Sequence, residues 1–160
     1  MPIIDFHNHF YPAAYLDALR SGASRVQVTI DGDGNPVLHY PGDYNIAVRG
    51  HRDIEYRTAV LAEHGVDTQL LSLTTPGTHV EEPALAARLA RIVNDSFAAI
   101  VADYRGRYLA MATLPLSDPA ASASQTTRSL AGRKKPRRSG AKSLRYGNVR
   151  GLPALSRAAR

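Results

Sequence analysis

The chain has 160 residues, of which 44% are hydrophobic, and it contains no cysteine. This length suits a single domain, and the lack of cysteine excludes a disulfide scaffold, a thiolate metal site and a cysteine nucleophile. The formal charge of +6 combines two unlike parts, because residues 1–118 have a net charge of −5 and residues 119–160 have a net charge of +11. We see no basic and apolar leader and no apolar run near the roughly 20 residues of a membrane span, so we expect a cytoplasmic protein.

The first predicted element is a strand over residues 2–10, PIIDFHNHF. Side chains alternate along a strand, so Asp5, His7 and His9 are expected on one face. Two imidazoles with one residue between them can converge on a single divalent ion. The alternative is a pair of partly exposed polar side chains at the end of a strand, and the spacing alone leaves both interpretations open.

A short helix over residues 13–20 and a hairpin follow this strand. The runs VQVTI (26–30) and PVLHY (36–40) flank DGDGN, whose two Asp-Gly pairs are typical of a turn between two strands. Residues 41–50 are expected to form a loop.

From residue 53 onward, helical and extended patterns alternate. Asp53 is a candidate N-cap for the next helix and Gly65 its stop. Strands that alternate with helices predict parallel β-α units. The predicted elements are a helix over 53–64, a strand over 66–74, a helix over 83–105, a strand over 108–116 and the start of a helix over 117–124.

Several other cationic side chains are candidates for contacting a bound anion. His39 ends the predicted hairpin and His79 lies in the loop after the strand over 66–74. Arg49 and Arg52 flank His51 just before a helix, where they could form a carboxylate-binding edge. For each of them the alternative is an ordinary exposed position in a loop or at a helix entry.

The alternating pattern stops near residue 125. Residues 126–160 have no sustained apolar period and no acidic residue, and all three lysines of the chain lie there. We therefore divide the chain into an ordered part, 1–125, and a basic tail, 126–160, expected to be disordered or an out-of-frame translation of GC-rich DNA. The alternative is a tail that binds an anion or nucleic acid, although nucleic acid is not the expected partner.

Four stretches carry a more specific signal, and from the first to the last they span about three-quarters of the chain. They are IDFHNHFYP (4–12), LAEHGVDTQLLSLTTPG (61–77), LAARLARIVNDSFAAIVADYRGRY (85–108) and LAMATLPLSDPAASA (109–123). In order and spacing they resemble the N-terminal part of the amidohydrolase superfamily, in the amidohydrolase-2 branch related to aminocarboxymuconate-semialdehyde decarboxylase.

This resemblance implies an α/β fold that is the N-terminal portion of a (β/α)8 TIM-type barrel, incomplete here, with a small hairpin insertion after the first strand. It implies that His7 and His9 are ligands of a divalent metal, zinc above all. The family's third histidine ligand, its catalytic histidine and its late aspartate have no counterpart that we can assign in this sequence.

The implied activity is that of a metal-dependent decarboxylase or hydrolase acting on a small carboxylated substrate. His39, Arg49, Arg52 and His79 are the candidate substrate-binding residues. Because the later ligands are missing, we expect the chain to be truncated and inactive alone. A dimer like the family's is not expected of a fragment, and the competing hypothesis is a non-catalytic fragment with a basic binding tail.

Overall fold

The computed structural model describes residues 1–131 of the chain. A 3-10 helix, Arg49–His51, lies between the fourth strand and the second helix. In chain order the elements are β1 (Ile4–Asp5), α1 (Ala13–Arg20), β2 (Gln27–Ile30), β3 (Pro36–Tyr40), β4 (Asp43–Ile46), α2 (Ile54–Glu63), β5 (Thr68–Leu71), α3 (Pro83–Asp103), β6 (Tyr108–Ala110) and α4 (Pro119–Ala131).

The predicted β-α units are confirmed by a three-stranded parallel sheet. Its strand order is β1-β5-β6, and Asp5 pairs with Gln69, which pairs with Tyr108. The connections between these strands contain α2 and α3, as the alternation of patterns predicted.

The first strand is much shorter than predicted, since it covers Ile4–Asp5 instead of residues 2–10. The His7 N–H donates to the carboxylate of Asp5 (2.9 Å) instead of to a neighbouring strand. The carbonyl of His9 accepts from the Arg57 side chain (2.6 Å). Side-chain partners replace the ladder at His7 and His9, so both residues lie in an irregular segment beyond the strand, before the Phe10 N–H donates to the Ser72 carbonyl (3.0 Å).

The predicted hairpin after α1 is confirmed, since β2 and β3 pair antiparallel, and a third strand, β4, extends it to the sheet β2-β3-β4. The DGDGN turn forms as expected, because the Asp31 carboxylate accepts from the N–H groups of Asp33 and Asn35 and Gly34 has a φ of 79°. The third strand, β4, lies where the sequence predicted a loop. It is held by pairing with β3, and its short DYNI sequence has no alternation that would predict it.

Local capping signals predicted the helix ends well. The Asp53 carboxylate accepts from the Tyr56 N–H (2.9 Å) at the start of α2, and Gly65 follows its end with a φ of 67°. At α4, Asp118 accepts from the Ala121 N–H (2.9 Å). Helix α4 reaches Ala131 and so crosses the expected boundary at residue 125, whereas the tail from 132 to 160 lies outside the described residues.

The core lies on one side of the parallel sheet, where α1 and α3 pack. Its largest fully buried side chains are Tyr11, Tyr15, Leu19, Leu38, Leu71, Leu89, Val93, Phe97 and Tyr108. On the opposite face of the sheet, Ile4 and Leu109 remain 44% and 45% exposed. Parallel sheets are normally covered on both faces, so residues 1–131 cover one face of this sheet and leave the other open.

Candidate functional site

The two histidines of the N-terminal motif lie close together just beyond β1. Their ring centroids are 5.5 Å apart, with the rings tilted by 46°. His7 is exposed and His9 is half-buried. Two imidazoles on one tetrahedral zinc ion, each at about 2.0 Å from the metal, have ring centroids about 5 Å apart. The spacing of His7 and His9 therefore suits two ligands of one ion.

A third imidazole, that of His51, lies next to this pair. Its ring centroid is 6.0 Å from that of His9, and its carbonyl accepts from the Tyr11 N–H (2.7 Å). No sequence pattern links His51 to the motif, because the two come together only when the insertion folds. Within residues 1–131, no group of three or more His, Cys, Asp or Glu side chains could hold a metal ion. The pair fits a metal as part of a ligand set that the described residues do not complete.

Arg57 of α2 lies beneath the histidine segment and is 8% exposed. Its guanidinium donates to the His9 carbonyl (2.6 Å), the Asn8 amide oxygen (3.1 Å), the Gln69 amide oxygen (2.6 Å) and the Gly50 carbonyl (2.6 Å). Arg57 was not among the residues that sequence reasoning put forward for the site. A charged residue one turn inside a half-apolar helix carries no signal of burial by itself.

The surroundings of His9 and His51 favour their neutral forms. Burial lowers the pKa of His9 below its ordinary value of 6.5, and the nearby His7 and Arg57 lower it further. Burial also lowers the pKa of His51, with Arg57 as the next cause. The neutral imidazole is the form that binds a metal. These pKa shifts therefore extend to lower pH the range in which His9 and His51 can act as ligands.

A cavity of about 260 Å³ opens at the carboxyl ends of β5 and β6. Its walls combine hydroxyl groups with apolar side chains, and His79 is the ionisable residue among them. Ser72 lines the cavity and also donates from its hydroxyl to the Asn8 carbonyl (2.6 Å). The lining residues include Leu73, Thr74, Thr78, Met111, Thr113 and Leu116.

The other candidate substrate-binding residues lie elsewhere, and none of them lines this cavity. The His39 ring is hydrogen-bonded to the Thr29 hydroxyl (2.9 Å) on the insertion sheet. Arg49 forms an ion pair with Asp53 (3.0 Å), and Arg52 donates to the Ala47 carbonyl (3.0 Å). Their role in substrate binding stays a prediction, as does that of His79.

Comparison with known proteins found no matching family model, but several curated relatives are similar to part of the chain. The gamma-resorcylate decarboxylase of Rhizobium sp. (strain MTP-10005) is 35% identical over 92 residues, which is 55% of this chain and 28% of that protein. The 6-methylsalicylic acid decarboxylase of Aspergillus aculeatus is 33% identical over 113 residues, which is 70% of this chain and 29% of that protein. The chain thus spans less than a third of the length of either relative.

Solved structures show the same partial match. A 5-carboxyvanillate decarboxylase from Sphingomonas paucimobilis is 29% identical with a TM-score of 0.61, and the match covers 80% of this chain and 39% of that one. A 2,6-dihydroxybenzoate decarboxylase from Rhizobium is 26% identical with a TM-score of 0.57, covering 82% and 35%. A dihydroxybenzoic acid decarboxylase from Polaromonas sp., with bound manganese and an inhibitor, is 25% identical with a TM-score of 0.59, covering 81% and 35%. The resemblance predicted from the four sequence stretches is therefore confirmed: the N-terminal part of this chain is related to the decarboxylases of the amidohydrolase-2 branch of the amidohydrolase superfamily.

Proposed function

We propose that this chain carries the first part of the metal centre of an amidohydrolase-type carboxy-lyase whose substrate is a small aromatic carboxylate. The observation that carries this proposal is the approach of the His7 and His9 rings to 5.5 Å, directly after the first strand of a parallel sheet. The relatives, named as decarboxylases of resorcylate and methylsalicylate, support the reaction type and the substrate class.

His7 and His9 would each donate one imidazole nitrogen to a divalent ion. The family resemblance implies zinc, and the bound manganese of one similar structure supports a divalent metal without selecting zinc. When bound, such an ion supplies Lewis-acid stabilisation of negative charge on a substrate oxygen. The cavity beside Ser72 would hold the aromatic ring, with apolar contacts from Leu73 and Met111.

The carboxylate of the substrate needs cationic or hydrogen-bonding partners. His79 lines the cavity and is the candidate nearest to this role. His39, Arg49 and Arg52 are retained as substrate-binding candidates that would need the substrate, or another part of the fold, to approach the insertion. The related alternative is a hydrolase in which His7 and His9 hold the same divalent ion.

We further propose that the described residues are the N-terminal portion of a (β/α)8 barrel and that this chain alone is inactive. A catalytic zinc site normally has three protein ligands, whereas two imidazoles are placed here. Three parallel strands leave both outer edges of the sheet without a neighbour among the described residues. Such a centre would bind metal weakly and leave the metal largely exposed to water.

Titration of the purified chain with Co²⁺ tests the metal proposal, because Co²⁺ is a spectroscopic substitute for zinc. We expect weak binding that His9→Ala reduces at least about tenfold, the scale of losing one of two ligands. His64→Ala is the matched control, since His64 caps the end of α2 and is exposed. Equal affinity in the wild type, His9→Ala and His64→Ala would contradict the proposal.

The second candidate function is a non-catalytic fragment that binds an anionic surface through its basic tail. The observation that favours it is the net charge of +11 on residues 119–160, a stretch that contains no acidic residue. Binding to a heparin column that disappears when residues 132–160 are removed, together with no Co²⁺ binding, would favour this candidate over the metal centre.

A further inference from the structure

The histidine pair is held by a closed set of hydrogen bonds that passes through one buried cation. The His7 N–H donates to one oxygen of Asp5, and the Gln69 amide donates to the other (2.5 Å). The Gln69 amide oxygen accepts from Arg57, which also donates to the His9 carbonyl. Both ends of the His7–His9 segment are therefore tied to Arg57.

Arg57 joins the segment to two further parts of the fold. It donates to the amide oxygen of Asn8, whose own amide group donates to the Leu70 carbonyl of β5 (2.5 Å). It also donates to the Gly50 carbonyl, next to His51 in the 3-10 helix of the insertion. One guanidinium thus fixes the histidine segment against the parallel sheet and against the insertion.

Packing alone does not explain why Arg57 is buried. Arg57 is 8% exposed, yet none of the ion pairs found within residues 1–131 involves it, and its four partners are neutral oxygens. The nearest carboxylate named in this network, that of Asp5, acts on Arg57 only through Gln69 and at a distance. Burying a cation without a directly paired carboxylate is costly unless its donors are satisfied. Lysine has three donors on one point charge, whereas arginine has five in a fixed plane, so only arginine can span these acceptors.

We propose that Arg57 is a positioning residue that sets the relative orientation of His7 and His9, and through Gly50 that of His51. This inference rests on the proposed metal-binding role of the histidine pair. The side chain acts through the backbone and amide groups that it holds. Groups that orient metal ligands typically change metal affinity by 10- to 100-fold when they are mutated.

The test compares the full-length wild type with Arg57→Lys, which keeps the charge and loses the planar fork. Arg107→Lys is the matched control, because Arg107 is half-buried and contacts the carbonyls of Asp67 and Thr58 at 3.4 and 3.5 Å. We first expect the ring carbon–proton NMR signals of His7, His9 and His51 to shift in metal-free Arg57→Lys. Those of His39 and His79 should stay unchanged, and Arg107→Lys should shift none of the five.

The second readout is Co²⁺ binding. We expect Arg57→Lys to weaken it about 10- to 100-fold and to change the visible absorption of the bound ion, with Arg107→Lys remaining within about twofold of the wild type. In Arg57→Ala, added methylguanidinium should restore the wild-type spectrum, which a general loss of stability would not allow. Unchanged ring signals in folded Arg57→Lys, or equal shifts in His39 and His79, would overturn the inference.

The two proposals fail in distinguishable ways. If the wild type binds no Co²⁺, the metal proposal fails, while the metal-free NMR comparison still decides whether Arg57 orients the histidine rings. If the wild type binds Co²⁺ and Arg57→Lys binds it equally with the same spectrum, only the role of Arg57 is contradicted.

Discussion

At the scale of single residues, the candidate centre depends on side chains that the sequence reveals to different degrees. The motif H-x-H indicated His7 and His9 directly, because two imidazoles so close in sequence are forced to be neighbours. Arg57 and His51 lie 48 and 42 residues beyond His9, and no local pattern links them to it. Their contribution comes from tertiary contacts, which is why sequence reasoning could not find it.

The titration of His9 and His51 makes stability depend on pH in a defined direction. Both groups have a pKa below 6.5 in the folded chain, so the unfolded chain binds more protons as the pH falls. We expect the free energy of unfolding to be unaffected by these groups above about pH 7.5 and to decrease as the pH falls through about 6.5 and below.

Urea unfolding at a series of pH values measures this effect. The double variant His9→Asn and His51→Asn should flatten the decrease. If the free energy of unfolding falls equally between pH 7 and 5 in the wild type and the double variant, His9 and His51 do not cause the decrease.

At the scale of elements, short-range signals predicted the helices and long-range contacts decided the strands. Asp53 and Gly65 marked the ends of α2 because capping involves residues within about one turn. The extent of β1 was predicted wrongly because Arg57 and Asp5 take up the polar groups that a ladder would use. The strand β4 was missed because pairing with β3, and not its own sequence, supports it.

Helix α3 offers a direct test of where the core lies. Phe97 is 1% exposed and its ring packs 6.4 Å from that of Phe10, whereas Phe6 is 66% exposed. We expect Phe97→Ala to lower the free energy of unfolding by about 3–5 kcal/mol, because it removes a buried ring and leaves a cavity. Phe6→Ala, the same change at an exposed position, should cost much less. Urea denaturation of the two variants provides the comparison, and equal losses would show that the core is placed wrongly.

At the scale of the whole molecule, the described residues form a parallel sheet with a covered face and an open one. The helices cover Leu71 and Tyr108, while Ile4, Leu109 and, after β6, Met111 remain exposed. Among the helices of residues 1–131, none is long and apolar enough to cross a membrane. The matches to solved structures cover about four-fifths of this chain and 35% to 39% of theirs, which supports the proposal that residues 1–131 are the N-terminal portion of a barrel.

The α/β class, the order of the units and the family relationship were all predictable from sequence, because they depend on periodicity and on motif order. The arrangement of His7, His9 and His51 was not predictable, because it depends on tertiary contacts. Within residues 1–131, no group of three or more His, Cys, Asp or Glu side chains could hold a metal ion. The division at residue 125 stays a prediction, and α4 continues past it to Ala131, which the weak apolar pattern there did not reveal.

The most direct test of the central claim is decarboxylation by the full-length chain itself. The purified chain is incubated with 2,6-dihydroxybenzoate and an excess of Zn²⁺ or Mn²⁺, and release of CO₂ is measured beside His9→Ala as the matched blank. We predict weak metal binding that requires His9, and no CO₂ release above that of His9→Ala. One tightly bound metal per chain together with turnover that His9→Ala abolishes would contradict it, because a complete catalytic centre would then be present in this chain alone.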